Sequence, residues 1–75
     1  MKRSGILIYM WKEIGKKLRE ARDKKEQTQE EVAKASAITT SYYARIERGE
    51  ENPSLDVLRK IAAALKIKSS EILPF

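Results

Sequence analysis

Residues 28–55, TQEEVAKASAITTSYYARIERGEENPSL, decide the fold. Thr28-Gln29-Glu30-Glu31 matches a capping box, in which the Thr and Glu side chains each satisfy a free backbone N–H of the other. A short helix is predicted from there, with Val32 and Ala33 inward and the Ser36–Ile38 stretch interrupting it. Thr39 then caps a second short helix running to about Arg48, on which Tyr43 and Ile46 share one face. Gly49 ends that helix as a residue able to adopt positive φ, and Asn52-Pro53-Ser54 forms an extended turn.

Working outward, Met10, Trp11, Ile14, Leu18 and Ala21 recur at spacings of three and four, which predicts an amphipathic helix ahead of the capping box. Downstream, Ser54 caps a helix whose Leu55, Leu58, Ile61, Ala62 and Leu65 form the clearest apolar stripe of the chain. Ser69 is expected to cap a last short turn carrying Ile72 and Leu73, stopped by Pro74. The run Ile6–Trp11 is too short to span a bilayer, which takes ~20 apolar residues, and no small-residue cleavage site follows it. The expectation is a chain that stays in the cytoplasm. The β-branched and aromatic content of this run predicts a short strand in need of a partner edge, with an extension of the next helix as the other reading. Residues 1–11 are therefore set apart as an apolar extension, and residues 12–75 as one compact all-α domain.

Composition narrows the function. The 75 residues hold 16 Lys or Arg against 11 Asp or Glu, a net charge of +5, and neither His nor Cys. Without them there is no imidazole base, thiolate nucleophile, disulfide or ordinary zinc or haem ligand set. There is no Gly-rich phosphate loop, and the carboxylates are spread over solvated helix faces. No enzyme activity, metal, cofactor or small-molecule ligand is expected. Nine of the basic residues lie in residues 1–25 against three acids, a local +6, so the basic surface belongs to the start of the chain. Such a surface suits a polyanion, and it also serves solubility.

Two short helices joined by a tight turn inside a small basic helical domain describe a helix-turn-helix. Here the residues themselves carry a resemblance. From Ile14 to Leu73, the pieces IGKKLREAR, TQEEVAKAS, ITTSYYARIERGEENPSL and LRKIAAALKI resemble the phage repressor and Cro-type (lambda-repressor-like) family. The compact build and the SSEIL ending look most like restriction-modification controller proteins or small phage-type repressors. The resemblance implies a five-helix bundle in which the helix from about Gln29 to Ala35 crosses the DNA backbone. The next, about Thr40 to Arg48, enters the major groove.

The helix phase agrees, since turning Tyr43 and Ile46 inward points Thr40, Ser41, Ala44, Arg45 and Arg48 outward. The candidate base contacts are Thr40, Ser41, Ala44 and Arg45. Arg45 is the long donor of that face, able to take guanine O6 and N7 in a bidentate contact; otherwise it meets only phosphate or solvent. The candidate phosphate contacts are Gln29, Thr39, Tyr42, Arg48 and Asn52. Gln29 lies at a helix N-terminus, where the family holds a phosphate oxygen. Tyr42 lies where many members carry Tyr, although Tyr42 and Tyr43 also read as one surface and one core residue. Glu50 and Glu51 would repel phosphate.

By the same resemblance Arg22 and Glu47 form a partly buried ion pair that ties the first helix to the recognition helix. Glu26 and Ala37 replace glycines of the family pattern, which implies mild strain if φ stays positive, and Gln27 and Ser36 replace apolar residues and thin the core. One recognition helix reads few base pairs, so the expected unit is a homodimer on an inverted-repeat operator with half-sites roughly 34 Å apart. Candidate dimer residues are Ile6, Ile8, Ile67, Ile72 and Phe75. The expected function is a sequence-specific transcriptional regulator of double-stranded DNA. The alternative is a DNA-binding antitoxin whose N-terminal segment contacts a protein partner.

Overall fold

The computed structural model describes residues 2–73, with side-chain surroundings from Leu7 onward. Four α-helices follow one another, α1 (Lys2–Lys24), α2 (Gln29–Ala35), α3 (Thr40–Glu47) and α4 (Leu55–Leu65), closed by a 3-10 turn at Ser69–Glu71. There is no strand among the described residues, which corrects the expected N-terminal strand. The physical reason is the missing partner edge. Helical hydrogen bonds close within the segment, whereas a lone strand leaves its backbone groups unpaired. α1 therefore starts at Lys2 rather than Met10 and runs unbroken through Trp11.

The expected fifth helix is likewise reduced to a single 3-10 turn. Its opening N–H, on Lys68, donates to Glu71 Oε2 at 2.9 Å, so the carboxylate and not the Ser69 hydroxyl organises it. The chain has to drop Ile72 into the core directly afterwards, which leaves no length for a further α-turn.

The helix starts form as their residues dictate. Thr28 N–H donates to Glu31 Oε1 at 2.8 Å and Glu31 N–H donates back to Thr28 Oγ1 at 3.0 Å. Thr39 Oγ1 accepts from Tyr42 N–H at 3.0 Å, and Ser54 Oγ accepts from Val57 N–H at 3.2 Å. Each such cap is worth ~1 kcal/mol.

The helix ends share one device. Each of the four is followed by a residue at positive φ, Glu26 (+55°), Ala37 (+60°), Gly49 (+76°) and Lys66 (+58°). The next N–H then reaches back five residues: Gln27 to Arg22 (3.1 Å), Ile38 to Ala33 (3.0 Å), Glu50 to Arg45 (2.9 Å) and Ile67 to Ala62 (3.0 Å). Only Gly49 adopts that conformation without a Cβ penalty. The turns of the family pattern are thus retained at Glu26 and Ala37, with strain of ~1 kcal/mol or more at each.

The core joins Ile14 and Leu18 of α1, Val32 and Ala33 of α2, Tyr43 and Ile46 of α3, four residues of α4 and Ile72. α3 packs between α1 and α2, and α4 closes the bundle against α2 and the final turn. Ser36 is buried in place of an apolar residue, and its Oγ donates to the Val32 carbonyl at 2.8 Å, so its burial does not orphan the hydroxyl. Gln27 is less well served, because its Oε1 is buried without a partner. Of the candidate dimer residues, Ile72 is corrected to a core residue, since it is the side chain that plugs the end of the bundle. Ile67 is half-buried against the core and Ile8 is exposed. The Ile6 side chain and Phe75 lie outside what is described.

Candidate nucleic-acid interface

The angle of α3 is set from behind by α1. Gly15 is buried against the end of α3, where an added Cβ would collide with the Glu47 carbonyl oxygen and lie 2.6 Å from that of Ile46. Gly49 is held as closely, its hypothetical Cβ standing 2.7 Å from Lys12 Cα. Backbone therefore meets backbone at both points, and the two helices cannot slide without losing the fit.

Arg22 and Glu47 complete this joint. Arg22 Nε donates to Glu47 Oε2 at 2.7 Å and Nη2 to Oε1 at 3.2 Å, a bidentate pair whose side chains are only 14% and 4% exposed. Arg22 Nη1 also donates to the Gln27 carbonyl at 2.9 Å, and Gln29 Nε2 donates to Glu47 Oε1 at 2.9 Å. The pair thus ties α1, the α1–α2 turn, α2 and α3 together. Burial by itself would push the Glu47 carboxyl up, but Arg22 and Gln29 more than reverse this and hold it below its ordinary value. The Arg22 guanidinium is raised in turn by its bond to Glu47. Burial first, and then the nearby Glu47 charge, push the Tyr43 phenol far above its usual range, while its buried hydroxyl has no hydrogen-bond partner among the described residues.

On the outer side of α3, Thr40, Ser41 and Arg48 are exposed and Ala44 and Arg45 are partly so, while Tyr43 and Ile46 are buried. Arg45 is not free. Its Nε donates to Glu51 Oε2 at 2.8 Å, its Nη1 to Ser41 Oγ at 2.8 Å, and its guanidinium carbon stands 6.0 Å from the Tyr42 ring centroid. Tyr42 itself is half-buried at the edge of the core, beside the fully buried Tyr43. Arg48 pairs with Glu50 at 3.1 Å, both largely in solvent, and each holds the other in its charged form.

Most of the candidate DNA-contact residues fall into two groups. Thr40, Ser41, Ala44 and Arg45 line the exposed face of α3. Gln29, Arg48 and the pair Arg22–Glu47 border an open cleft beside it, together with Arg19. Thr39 is occupied as a cap through its oxygen, which leaves its hydroxyl hydrogen available, and Asn52 is exposed in the loop after α3. Three features were missed in the sequence. Arg19 precedes Arg22 by one helical turn, a signal that was legible. Gln29 donates to Glu47, and Glu51 grips Arg45; neither follows from spacing, because each depends on how loop and helix meet in space.

No helix among the described residues is long and apolar enough to cross a membrane. Comparison with known proteins agrees with the geometry. Residues 18–72 match the family described as helix-turn-helix. The chain is 37% identical over 60 residues to the immunity repressor protein of Bacillus phage phi105, covering 80% of this chain and 42% of that protein, so it spans less than half of that relative's length. It is 37% identical over 63 residues to control protein C.BamHI of Bacillus amyloliquefaciens, covering 83% of this chain and 78% of that one. The crystal structure of the restriction-modification controller protein C.AhdI from Aeromonas hydrophila superimposes with a TM-score of 0.82 at 38% identity, over 84% of this chain and 96% of that one. The ClgR regulator of Corynebacterium glutamicum gives a TM-score of 0.81 at 28% identity, over 84% and 82%. With the paired short helices, the locked crossing and these relatives in agreement, the chain belongs to the helix-turn-helix family of DNA-binding regulators.

Proposed function

We propose that this regulator binds an inverted-repeat operator as a homodimer, laying α3 of each copy in the major groove, and that it carries out no enzymatic reaction. The observation that carries this reading is the exposed face of α3, with Arg45 at its centre, on a helix whose angle is held by the bidentate Arg22–Glu47 pair. Arg45 reads guanine, Thr40 and Ser41 meet neighbouring base edges, and Ala44 lies against a thymine methyl. Gln29, Thr39, Tyr42, Arg48 and Asn52 hold phosphates on either side and set the register. Gln29 does this while its amide also supports Glu47, so one side chain links the frame of the helix to the DNA backbone.

Self-association is placed on the exposed apolar side chains Leu7, Ile8, Tyr9 and Leu55. The exposed Leu7, Ile8 and Tyr9 of α1 also support the second reading, a DNA-binding antitoxin whose first helix docks on a partner protein. Selection from a randomised duplex library, with the mass of the protein measured in solution, tests both. A recovered inverted repeat with half-sites about ten base pairs apart, bound by a dimer, is the expected result. Salt-sensitive binding without any recoverable motif would refute the operator reading and move attention to a partner at Leu7–Tyr9.

A further inference from the structure

The loop after α3 carries Glu51, an acid that ought to hinder DNA binding. It sits 2.8 Å from Arg45 Nε, and the two side chains are only 39% and 30% exposed. On the far side of the guanidinium, Ser41 Oγ accepts from Nη1 at 2.8 Å. A guanidinium has five N–H donors in a fixed planar fork, and these two bonds occupy one on Nε and one on Nη1. The remaining donors are one on Nη1 and two on Nη2, the terminal edge can take one from each of these nitrogens, and among the described residues Nη2 has no partner. Tyr42 lies beneath the group, with its ring centroid 6.0 Å from the guanidinium carbon.

The geometry points to Glu51 as a positioning residue for sequence discrimination: it holds Arg45 by Nε so that the arginine meets guanine through its terminal Nη1/Nη2 edge. Two consequences follow from the chemistry. A long side chain fixed at two points loses less freedom when it engages the two guanine acceptors, which favours the matched base. An arginine already paired to a carboxylate is also a poorer phosphate ligand, so binding to unrelated DNA is weakened. Glu51 thus raises the ratio of specific to non-specific binding while lowering affinity overall.

This inference rests on the reading of Arg45 as a base-contacting residue, and the test separates the two. Binding of the purified full chain is measured on its selected site, on that site with the guanine facing Arg45 replaced, and on random duplex. Arg45→Ala, Glu51→Ala, Glu51→Gln, the Arg45/Glu51 double alanine variant and Glu50→Gln are compared, with far-UV circular dichroism confirming the fold of each. Glu51→Ala is expected to tighten binding to random duplex and to cut the preference for guanine about tenfold. Glu51→Gln, which keeps an acceptor for Nε, is expected to restore part of that preference, and Glu50→Gln to tighten all sequences alike. In the Arg45→Ala background Glu51→Ala should no longer change the preference. If Arg45→Ala abolishes the preference while Glu51→Ala shifts all sequences equally, as Glu50→Gln does, Glu51 is only a surface charge and the inference fails alone. If Arg45→Ala leaves the preference intact, both fall.

Discussion

Replacing Glu47 by Ala tests the joint that aims the recognition helix. The carboxylate accepts two bonds from Arg22, at 2.7 and 3.2 Å, and one from Gln29 at 2.9 Å. Its loss leaves an arginine that is only 14% exposed with just the Gln27 carbonyl and, at 3.6 Å, the solvent-exposed Asp23 carboxylate. Breaking one side of a buried pair costs ~3–5 kcal/mol, and the residual solvent contact of Arg22 places this case at the lower end, about 3 kcal/mol. A chain of 75 residues has a total stability of roughly 4–11 kcal/mol at the usual per-residue range. The melting temperature should therefore fall by about 12–24 °C, at ~4–8 °C for each kcal/mol. Thermal and urea unfolding followed by far-UV circular dichroism measure this directly. Arg22→Ala and the double variant complete the cycle, and because the double variant leaves no stranded charge, it should cost little more than Glu47→Ala. A loss below about 1 kcal/mol for the single variant, or strictly additive losses, would refute the argument. The carboxylate also supplies a pH signature. Its folded-state pKa lies below the ordinary 4.5, so its stabilisation is complete above that value and fades as pH falls through the folded-state value. The gap between native chain and Glu47→Ala should accordingly narrow below about pH 4.5 and be constant from there to neutrality.

Gly15→Ala should destabilise the domain, because the collision with the α3 carbonyls costs ~1–3 kcal/mol or more and outweighs the ~1 kcal/mol gain in helix propensity; a raised melting temperature would show that the helices can part. Ala37→Gly relieves a residue at φ +60° and should add ~1 kcal/mol in urea unfolding with DNA affinity unchanged. Arg45→Ala should reduce affinity for the selected site far more than for random duplex, and equal losses on both would exclude base reading. Arg48→Ala should weaken binding to every sequence and lower the slope of log affinity against log salt by ~0.9, which titration at several salt concentrations reads.

How much of this was legible in the sequence follows the range of each interaction. Caps are local, so Thr28, Thr39 and Ser54 placed three helix starts correctly from residue type alone. The inward stripes are periodic, so Tyr43, Ile46, Leu58, Ile61 and Leu65 reach the core as their spacing predicts, while Leu55 at the start of the same stripe stays 46% exposed. The N-terminal run misled because its composition favours a strand, while no strand among the described residues offers it a partner edge, which local composition does not reveal. Ile72 stands among the candidate dimer residues for a similar reason: its apolar character suits an interface or the core equally, and nothing near it in sequence says that it closes the bundle. Three helix ends lacked a glycine signal, and Lys66 in particular carries no hint of its left-handed backbone.

The sequence by itself determined the order of the helices, the helix-turn-helix pairing, the outward face of α3 and, through family resemblance, the Arg22–Glu47 tie. Those features depend on neighbours three or four residues apart or on a motif carried by residue identity. Only the tertiary structure decided that Gly15 brings two backbones together, that Gln29 braces Glu47, and that Glu51 holds Arg45. Each of those contacts spans separate elements, and a distance of a few ångströms between atoms far apart in the chain exists only once the core has packed.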